Sequence, residues 1–282
     1  MGLPVPATLS PSKVSSFKDC GLAFRFSVID RLPEPPTVAA TRGTLVHRAL
    51  ELLFWEVPEG ERSRAAARAQ LDRAWEELQS SPELVDLGLT PEETEAFRSE
   101  AEQLLGRYFE LEDPDRVRVV GVELMMEAEV GGVTLRGIID RLELDEDGEL
   151  VVTDYKTGRA PPMTHEQARL GGVQFYALLC EQVLGRRPAR IQLLYLSEPT
   201  AIVAIPSEQS IRALRQRTAA VWAAVVRACE AEDFRPRPGR LCDWCAFRSY
   251  CPAWGGDPSL AGQPAPADAT VAEVTALALD TG

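Results

Sequence analysis

The stretch from Val117 to Lys156 dictates a sheet before anything else in the chain is considered. Val117 to Val130 and Val133 to Leu144 both carry strand patterning, and Gly131-Gly132 between them suits the two-residue turn of a hairpin. Asp145 to Gly148 makes a second turn and Glu149 to Lys156 a third strand. Apolar sheet faces need covering, and helical patterns lie on both sides in sequence. Upstream these are Ser12 to Phe26 with Ser12 as N-cap, Thr44 to Trp55 opened by Gly43, Arg62 to Gln79, and Glu92 to Leu111 introduced by Thr90-Pro91. Downstream come a helix from Glu166 to Leu184, strands at Ile191 to Leu196 and Ala201 to Ile205, and a helix from Ser207 to Glu232. The expectation is an α+β (α/β) chain, with a mixed central sheet flanked by helices and a helical N-terminal region. Residues 1–10 are expected to be flexible, 11–254 to form one domain with a helical insertion at about 57–113, and 255–282 to be an acidic low-complexity tail with one weak helix near Val271 to Leu279.

Charge and composition narrow the functions. The 282 residues carry a net charge of −13. By segment this is +3 for 1–50, −17 for 51–158, +5 for 159–250 and −4 for 251–282. Two basic arms, mostly arginine, on an acidic body permit a local phosphate-binding surface but not a protein that coats nucleic acid. The three lysines, Lys13, Lys18 and Lys156, are none of them preceded by glycine, so no G-x-x-x-x-G-K-S/T phosphate loop exists in this sequence and ATP is not an expected ligand. Two histidines, His47 and His165, exclude a three-histidine metal site. No apolar run approaches the ~20 residues of a membrane span. Met1 to Ser10 has no basic region followed by an apolar one, so a soluble, cytoplasmic protein is expected.

Cys242-x2-Cys245-x5-Cys251-Pro252 is a tight cluster of the kind that binds metal in a reducing compartment. Three thiolates leave a site one ligand short. Cys180 and Cys229 sit within helical patterns as small core residues, so Cys20, beside Gly21 at the end of the first helix, is the better fourth ligand. A single C-x2-C knuckle, with the other thiols supplied one at a time, suits a 4Fe–4S cluster better than zinc, which usually takes two knuckles. Either group would staple residue 20 to residues 242–251.

In Leu150-Val151-Val152-Thr153-Asp154-Tyr155-Lys156-Thr157-Gly158, strand alternation puts Val152, Asp154 and Lys156 on one face and Tyr155 on the other. Gly137-Ile138-Ile139-Asp140-Arg141-Leu142 places a second carboxylate on the neighbouring strand, so Asp140 and Asp154 can converge on one cation. Oxygen ligands suit Mg²⁺, and an added imidazole is acceptable to Mn²⁺. His47, in Gly43-Thr44-Leu45-Val46-His47, is the available histidine.

Taken in order, Gly-x3-His, Gly-Ile-Ile-Asp-Arg, Asp-Tyr-Lys-Thr-Gly, Gln174-x-Tyr176 and Cys-x2-Cys-x5-Cys resemble the RecB-family exonucleases of the PD-(D/E)XK superfamily. The chain is similar in particular to the iron–sulfur branch that includes AddB nuclease domains and CRISPR-associated exonucleases. Leu9-Ser10-Pro11-Ser12, Phe17 and Cys20 resemble that branch's opening, although Gly21 stands where proline often follows the first cysteine. The resemblance spans about residues 8–254. It implies a restriction-endonuclease-like core and a metal site made by His47, Asp140, Asp154 and the Tyr155 carbonyl. Lys156 would orient water and counter phosphate charge, and Gln174 and Tyr176 would lie near DNA or Lys156. Glu123 could be a further ligand or a base. Cys20, Cys242, Cys245 and Cys251 would hold the 4Fe–4S cluster, and Arg48, Arg141, Arg159 and Arg169 are candidate phosphate contacts. The implied activity is Mg²⁺- or Mn²⁺-dependent exonuclease action on single-stranded DNA or DNA ends, in repair, recombination or foreign-DNA processing, beside a separate helicase or a recombination or CRISPR protein. Two rivals are a catalytically inactive DNA-end-binding subunit and a zinc-stabilised interaction module.

Overall fold

The computed structural model describes residues 2–160 and 163–261, without the side chains of 163–173. The expected tail beyond residue 261, with its helix near Val271 to Leu279, lies outside the described residues. No helix among the described residues is long and apolar enough to cross a membrane.

Five strands form one mixed sheet in sequence order: β1 (Arg118–Val130), β2 (Val133–Leu144), β3 (Leu150–Lys156), β4 (Arg190–Tyr195) and β5 (Thr200–Ala204). The hairpin turn is Gly131-Gly132, with φ of 61° and 77°, values that glycine adopts without a Cβ penalty. β1, β2 and β3 pair antiparallel, β3 and β4 parallel, and β4 and β5 antiparallel. A parallel pair needs a crossover, and here it is the helix Met163–Leu184.

The helices in chain order are α1 (Pro11–Asp19), α2 (Gly21–Phe24), α3 (Val38–Glu56), α4 (Arg64–Leu78), α5 (Pro82–Val85), α6 (Pro91–Leu111), α7 (Met163–Leu184) and α8 (Glu208–Ala231). Caps explain several boundaries. Thr90 and Glu93 form a reciprocal capping box ahead of α6, and Ser207 and Ser210 do the same for α8. The helix expected over 12–26 is instead two, because Cys20 is extended (φ −159°, ψ 114°) and a π-helical turn, Arg25–Ile29, follows Phe24. Its cap is Ser10, not Ser12. α3 begins at Val38, six residues before the expected start, so Gly43 is inside it.

Three apolar clusters hold these parts together. One packs α7 and α8 on the sheet through Phe175, Leu178, Ile211 and Leu214, against Leu135, Ile139 and Val152. A second packs α3, α4 and α6 on the other side, around Leu50, Leu71, Phe97 and Tyr155. A third joins the two ends of the chain: Leu22, Phe24 and Phe26 meet Val225, Phe234 and Phe247. The first ten residues, expected to be flexible, are docked where they are described. Leu9 is buried and pairs beside β2, through Leu9 N–H to Thr134 and Arg136 N–H to Leu9, and the Leu3 N–H donates to the Cys229 carbonyl.

Candidate active site

The second cluster carries α3 against the edge of β3, and this contact places His47. Its Nε2–H donates to the Tyr155 carbonyl at 3.1 Å, and its Nδ1 lies 3.5 Å from Asp140 Oδ2. The Tyr155 amide donates to that same Asp140 oxygen at 2.7 Å. One backbone unit of β3 thus fixes both the histidine and the carboxylate.

Glu123 joins them from β1. The ladder pairs Val122 with Arg141 and Leu124 with Ile139, so Glu123 and Asp140 face each other. Glu123 has φ +45°, a left-handed backbone in a non-glycine residue that costs about 1–3 kcal/mol. β1 changes face there: Val119 and Val122 pack with the α3–α4–α6 core, whereas Leu124, Met126 and Ala128 pack with the α7 core. The result is a group of three ligand atoms, from His47, Glu123 and Asp140, all within 4.8 Å of one another.

Asp154 is 5% exposed, and the Lys156 ammonium is ion-paired with its Oδ2, which accepts no hydrogen bond among the described residues. Asp154 lies close enough to act on the charge of both other carboxyls. Burial pushes Asp140 up to about 6, with Asp154 adding to the rise and His47, the Tyr155 amide and Lys156 opposing it. Burial likewise lifts Glu123 to about 7, reinforced by Asp140 and Glu51 and opposed by Arg48. Like-charged carboxylates gathered out of water are unfavourable unless a cation joins them. Carboxylate oxygens, a backbone carbonyl and one imidazole are the donor set of Mg²⁺ or Mn²⁺, so the residues present fit that group.

Asp154 and Lys156 open into a cleft of about 790 Å³ whose walls include Tyr176, Tyr195, Lys13 and Arg136. Burial raises the Tyr176 hydroxyl well above its ordinary value, and Asp154, Asp140 and Glu123 add to the rise, so this side chain borders the acidic group. Gly137 permits that approach: a Cβ there would sit 3.1 Å from Tyr176 Cε1 and 2.9 Å from Leu179 Cδ1.

Residues 8–252 match the PD-(D/E)XK nuclease superfamily. The chain belongs to that superfamily. No curated protein matches the sequence. Among solved structures, a provisionally assigned exonuclease from Eubacterium rectale aligns over 85% of this chain and 87% of its own, at 13% identity and a TM-score of 0.53, which shows a shared fold. The structure of SSO0001 covers 86% of this chain and 95% of its own at 17% identity, with a TM-score of 0.34 that is too low to argue from. The α+β architecture expected from the sequence is therefore the PD-(D/E)XK fold.

Within this PD-(D/E)XK domain the remaining expected residues separate clearly. Arg141 is fully buried, so the expectation that it contacts phosphate is wrong. Its guanidinium bonds Tyr155 Oη at 2.7 Å, Thr153 Oγ1 at 3.2 Å and the carboxylates of Glu112 and Glu143, and it stacks over Phe54 at 4.6 Å. Arg48 is committed to Glu77 and Glu51, both at 2.7 Å. Arg159 is largely exposed, with Glu198 at 3.5 Å. The Arg169 side chain lies outside the described residues. Gln174 is half-buried on α7 and forms no hydrogen bond with the acidic group among the described residues. Lys13, Arg136 and Tyr195 were given no site role in sequence. The scarcity of lysine was the available signal for Lys13; nothing local marks the other two.

At the third cluster, the fold brings Cys20 to Cys242, Cys245 and Cys251. Burial raises the Cys245 thiol, with the charges of Cys20, Cys242 and Cys251 adding to the rise and a hydrogen bond with the Phe247 backbone opposing it, and the four cysteines line one cavity. Backbone amides are directed at the sulfurs: Arg237 N–H to Cys20 and Gly239 N–H to Cys242, each at 3.4 Å. Cys180 is buried in the first cluster; Cys229 is buried within the third, where its thiol is directed at the Pro4 carbonyl at 3.7 Å.

Proposed function

We propose that this chain is a divalent-metal-dependent exonuclease that hydrolyses phosphodiester bonds of single-stranded DNA or DNA ends. The observation that carries the reading is the convergence of His47, Glu123 and Asp140 beside the Asp154–Lys156 pair at the wall of a cleft. His47, Asp140, Asp154 and the Tyr155 carbonyl would hold the cation, with Glu123 as a further ligand. When bound, such an ion neutralises the scissile phosphate and acidifies water. Lys156 holds its ammonium beside Asp154 and presents positive charge where the phosphate gains negative charge. Tyr176 lines the same cleft as Asp154 and Lys156.

The four cysteines are read as ligands of a 4Fe–4S cluster that closes the third core. All-thiolate donors and amides directed at their sulfurs support this, as does the single C-x2-C knuckle. Its part would be to tie the N-terminal helices to the end of the domain. A helicase or a recombination or CRISPR protein would supply the open strand, since the sequence has no phosphate loop of its own.

The test is degradation of end-labelled single-stranded DNA by anaerobically purified protein with Mg²⁺ or Mn²⁺. Wild type should shorten the strand from an end, and Lys156→Ala should be slower by about 10²–10³-fold while keeping its fold. A folded wild type inactive with either metal would overturn the catalytic reading and leave a DNA-end-binding subunit.

A further inference from the structure

We infer that Lys13 and Arg136 form a subsite for a non-scissile phosphate of a single nucleic-acid strand whose reacting phosphate lies against Asp154 and Lys156. This rests on the nuclease reading and adds to it a second, purely electrostatic contact that positions the strand.

The two cations come from distant parts of the chain, α1 and β2, yet line the same cleft as Asp154 and Lys156. Their proximity is built by the backbone. Leu9 is clamped beside β2 by the hydrogen bonds to Thr134 and Arg136, and α1 starts two residues later. Lys13 then folds back so that its ammonium donates to the Thr8 carbonyl at 2.9 Å and to Thr8 Oγ1 at 3.1 Å. Two of its three N–H groups are used on neutral oxygens, which orients the third without cancelling the charge.

The chain carries 43 acidic residues against 30 basic ones, and most of its arginines beside the acidic body are ion-paired. Lys13 and Arg136 have no such partner among the described residues. Arg136 Nη2 bonds only Met125 Sδ, at 2.7 Å. Burial lowers the Lys13 ammonium below its ordinary value, and the charges of Arg136 and Arg31 lower it further. Like charges assembled without a counter-ion, in a protein with acid to spare, are an anion site awaiting its anion. Arg136 precedes Asp140 by four strand residues, about 14 Å of β2, too far to share one phosphate with the acidic group. The serine hydroxyls at Ser10, Ser12 and Ser15 line the same wall and can accept or donate to sugar and phosphate oxygens.

The substrate class this selects is a strand extending several nucleotides beyond the bond being cut. The experiment measures binding of a fluorescent single-stranded oligonucleotide by anisotropy across a salt series in Ca²⁺, together with cleavage kinetics in Mn²⁺. The variants are Lys13→Gln, Arg136→Ala and the double variant, with Arg116→Ala, an exposed arginine outside the cleft, as the control for net charge. Each cleft variant should weaken binding about five- to twentyfold and reduce the slope of log affinity against log salt by about 0.7. KM for the long strand should rise far more than kcat falls, and a dinucleotide substrate, too short to reach the subsite, should be unaffected. Equal affinity and slope for wild type and Arg136→Ala, with melting temperatures unchanged, would overturn the subsite. Absence of cleavage by wild type with the binding differences intact would instead overturn the nuclease reading alone. Arg136→Ala keeps the proposal testable if Lys13→Gln fails to fold, because Arg136 has one weak protein contact to lose.

Discussion

Asp140 receives the amide of Tyr155 at 2.7 Å and faces the His47 ring at 3.5 Å, so its carboxylate is oriented from two sides. That arrangement fixes the direction of the carboxylate without paying back its desolvation, and it has a pH signature.

A carboxyl whose folded pKa lies above its unfolded value, about 4, is held protonated more readily by the native state. Its penalty is absent below the unfolded value and grows as pH rises to about 6 for Asp140 and about 7 for Glu123. The displacement of Asp140 corresponds to roughly 3 kcal/mol. In chelator, Asp140→Asn should therefore melt higher than wild type at about pH 8, and the advantage should vanish near pH 4. Saturating Mn²⁺ should restore the wild type and leave the variant unmoved. Melting curves at the two pH values, with and without metal, check this; an Asn variant less stable than wild type at pH 8 would show that the carboxylate is already compensated.

Arg141 makes the opposite kind of site, a cation enclosed by Glu112 and Glu143 beneath Phe54. Burial alone would lower its pKa, but Tyr155, Glu112 and Glu143 outweigh burial and hold it well above the ordinary value. Arg141→Met leaves two enclosed carboxylates without their cation, and should cost about 3–5 kcal/mol in urea unfolding. Recovery of stability in Arg141→Met combined with Glu143→Gln would identify the stranded charge as the cause.

Gly137→Ala tests the packing behind the cleft. The added methyl meets Leu179 and Tyr176 inside van der Waals distance, so about 1–3 kcal/mol of stability should be lost. Cleavage should fall beyond the loss of folded protein, because Tyr176 borders the carboxylates; activity per folded molecule equal to wild type would show that Tyr176 has room to move.

Cys20→Ser should remove iron and acid-labile sulfide from the purified protein and lower its melting temperature, whereas Cys229→Ser should keep both. Zinc in stoichiometric amount, with no iron, would decide for the smaller metal site.

The strands were legible in the sequence to within a residue or two because alternation along β2 and the Gly131-Gly132 turn are local properties. Strand adjacency put Asp140 near Asp154, whereas His47, on α3, joined them only through the family resemblance. What escaped was set by distant partners. Arg141 reads as a surface cation until Glu112 and Glu143 are placed around it. Glu123 reads as a candidate ligand on a regular strand, because nothing local announces its left-handed backbone. Cys20 breaks a good helical pattern since its position is governed by residues more than two hundred places away. Leu9 gains its order only from the edge of β2.

The third core also fixes the order in which the chain can mature. Leu22, Phe24 and Phe26 emerge from the ribosome early, and the residues that cover them, Val225, Phe234 and Phe247, follow about 200 residues later. At ordinary synthesis rates that leaves the N-terminal apolar cluster bare for roughly 10–40 s. A chain that stops short of Val225 lacks all three covering residues and exposes this cluster for as long as it survives.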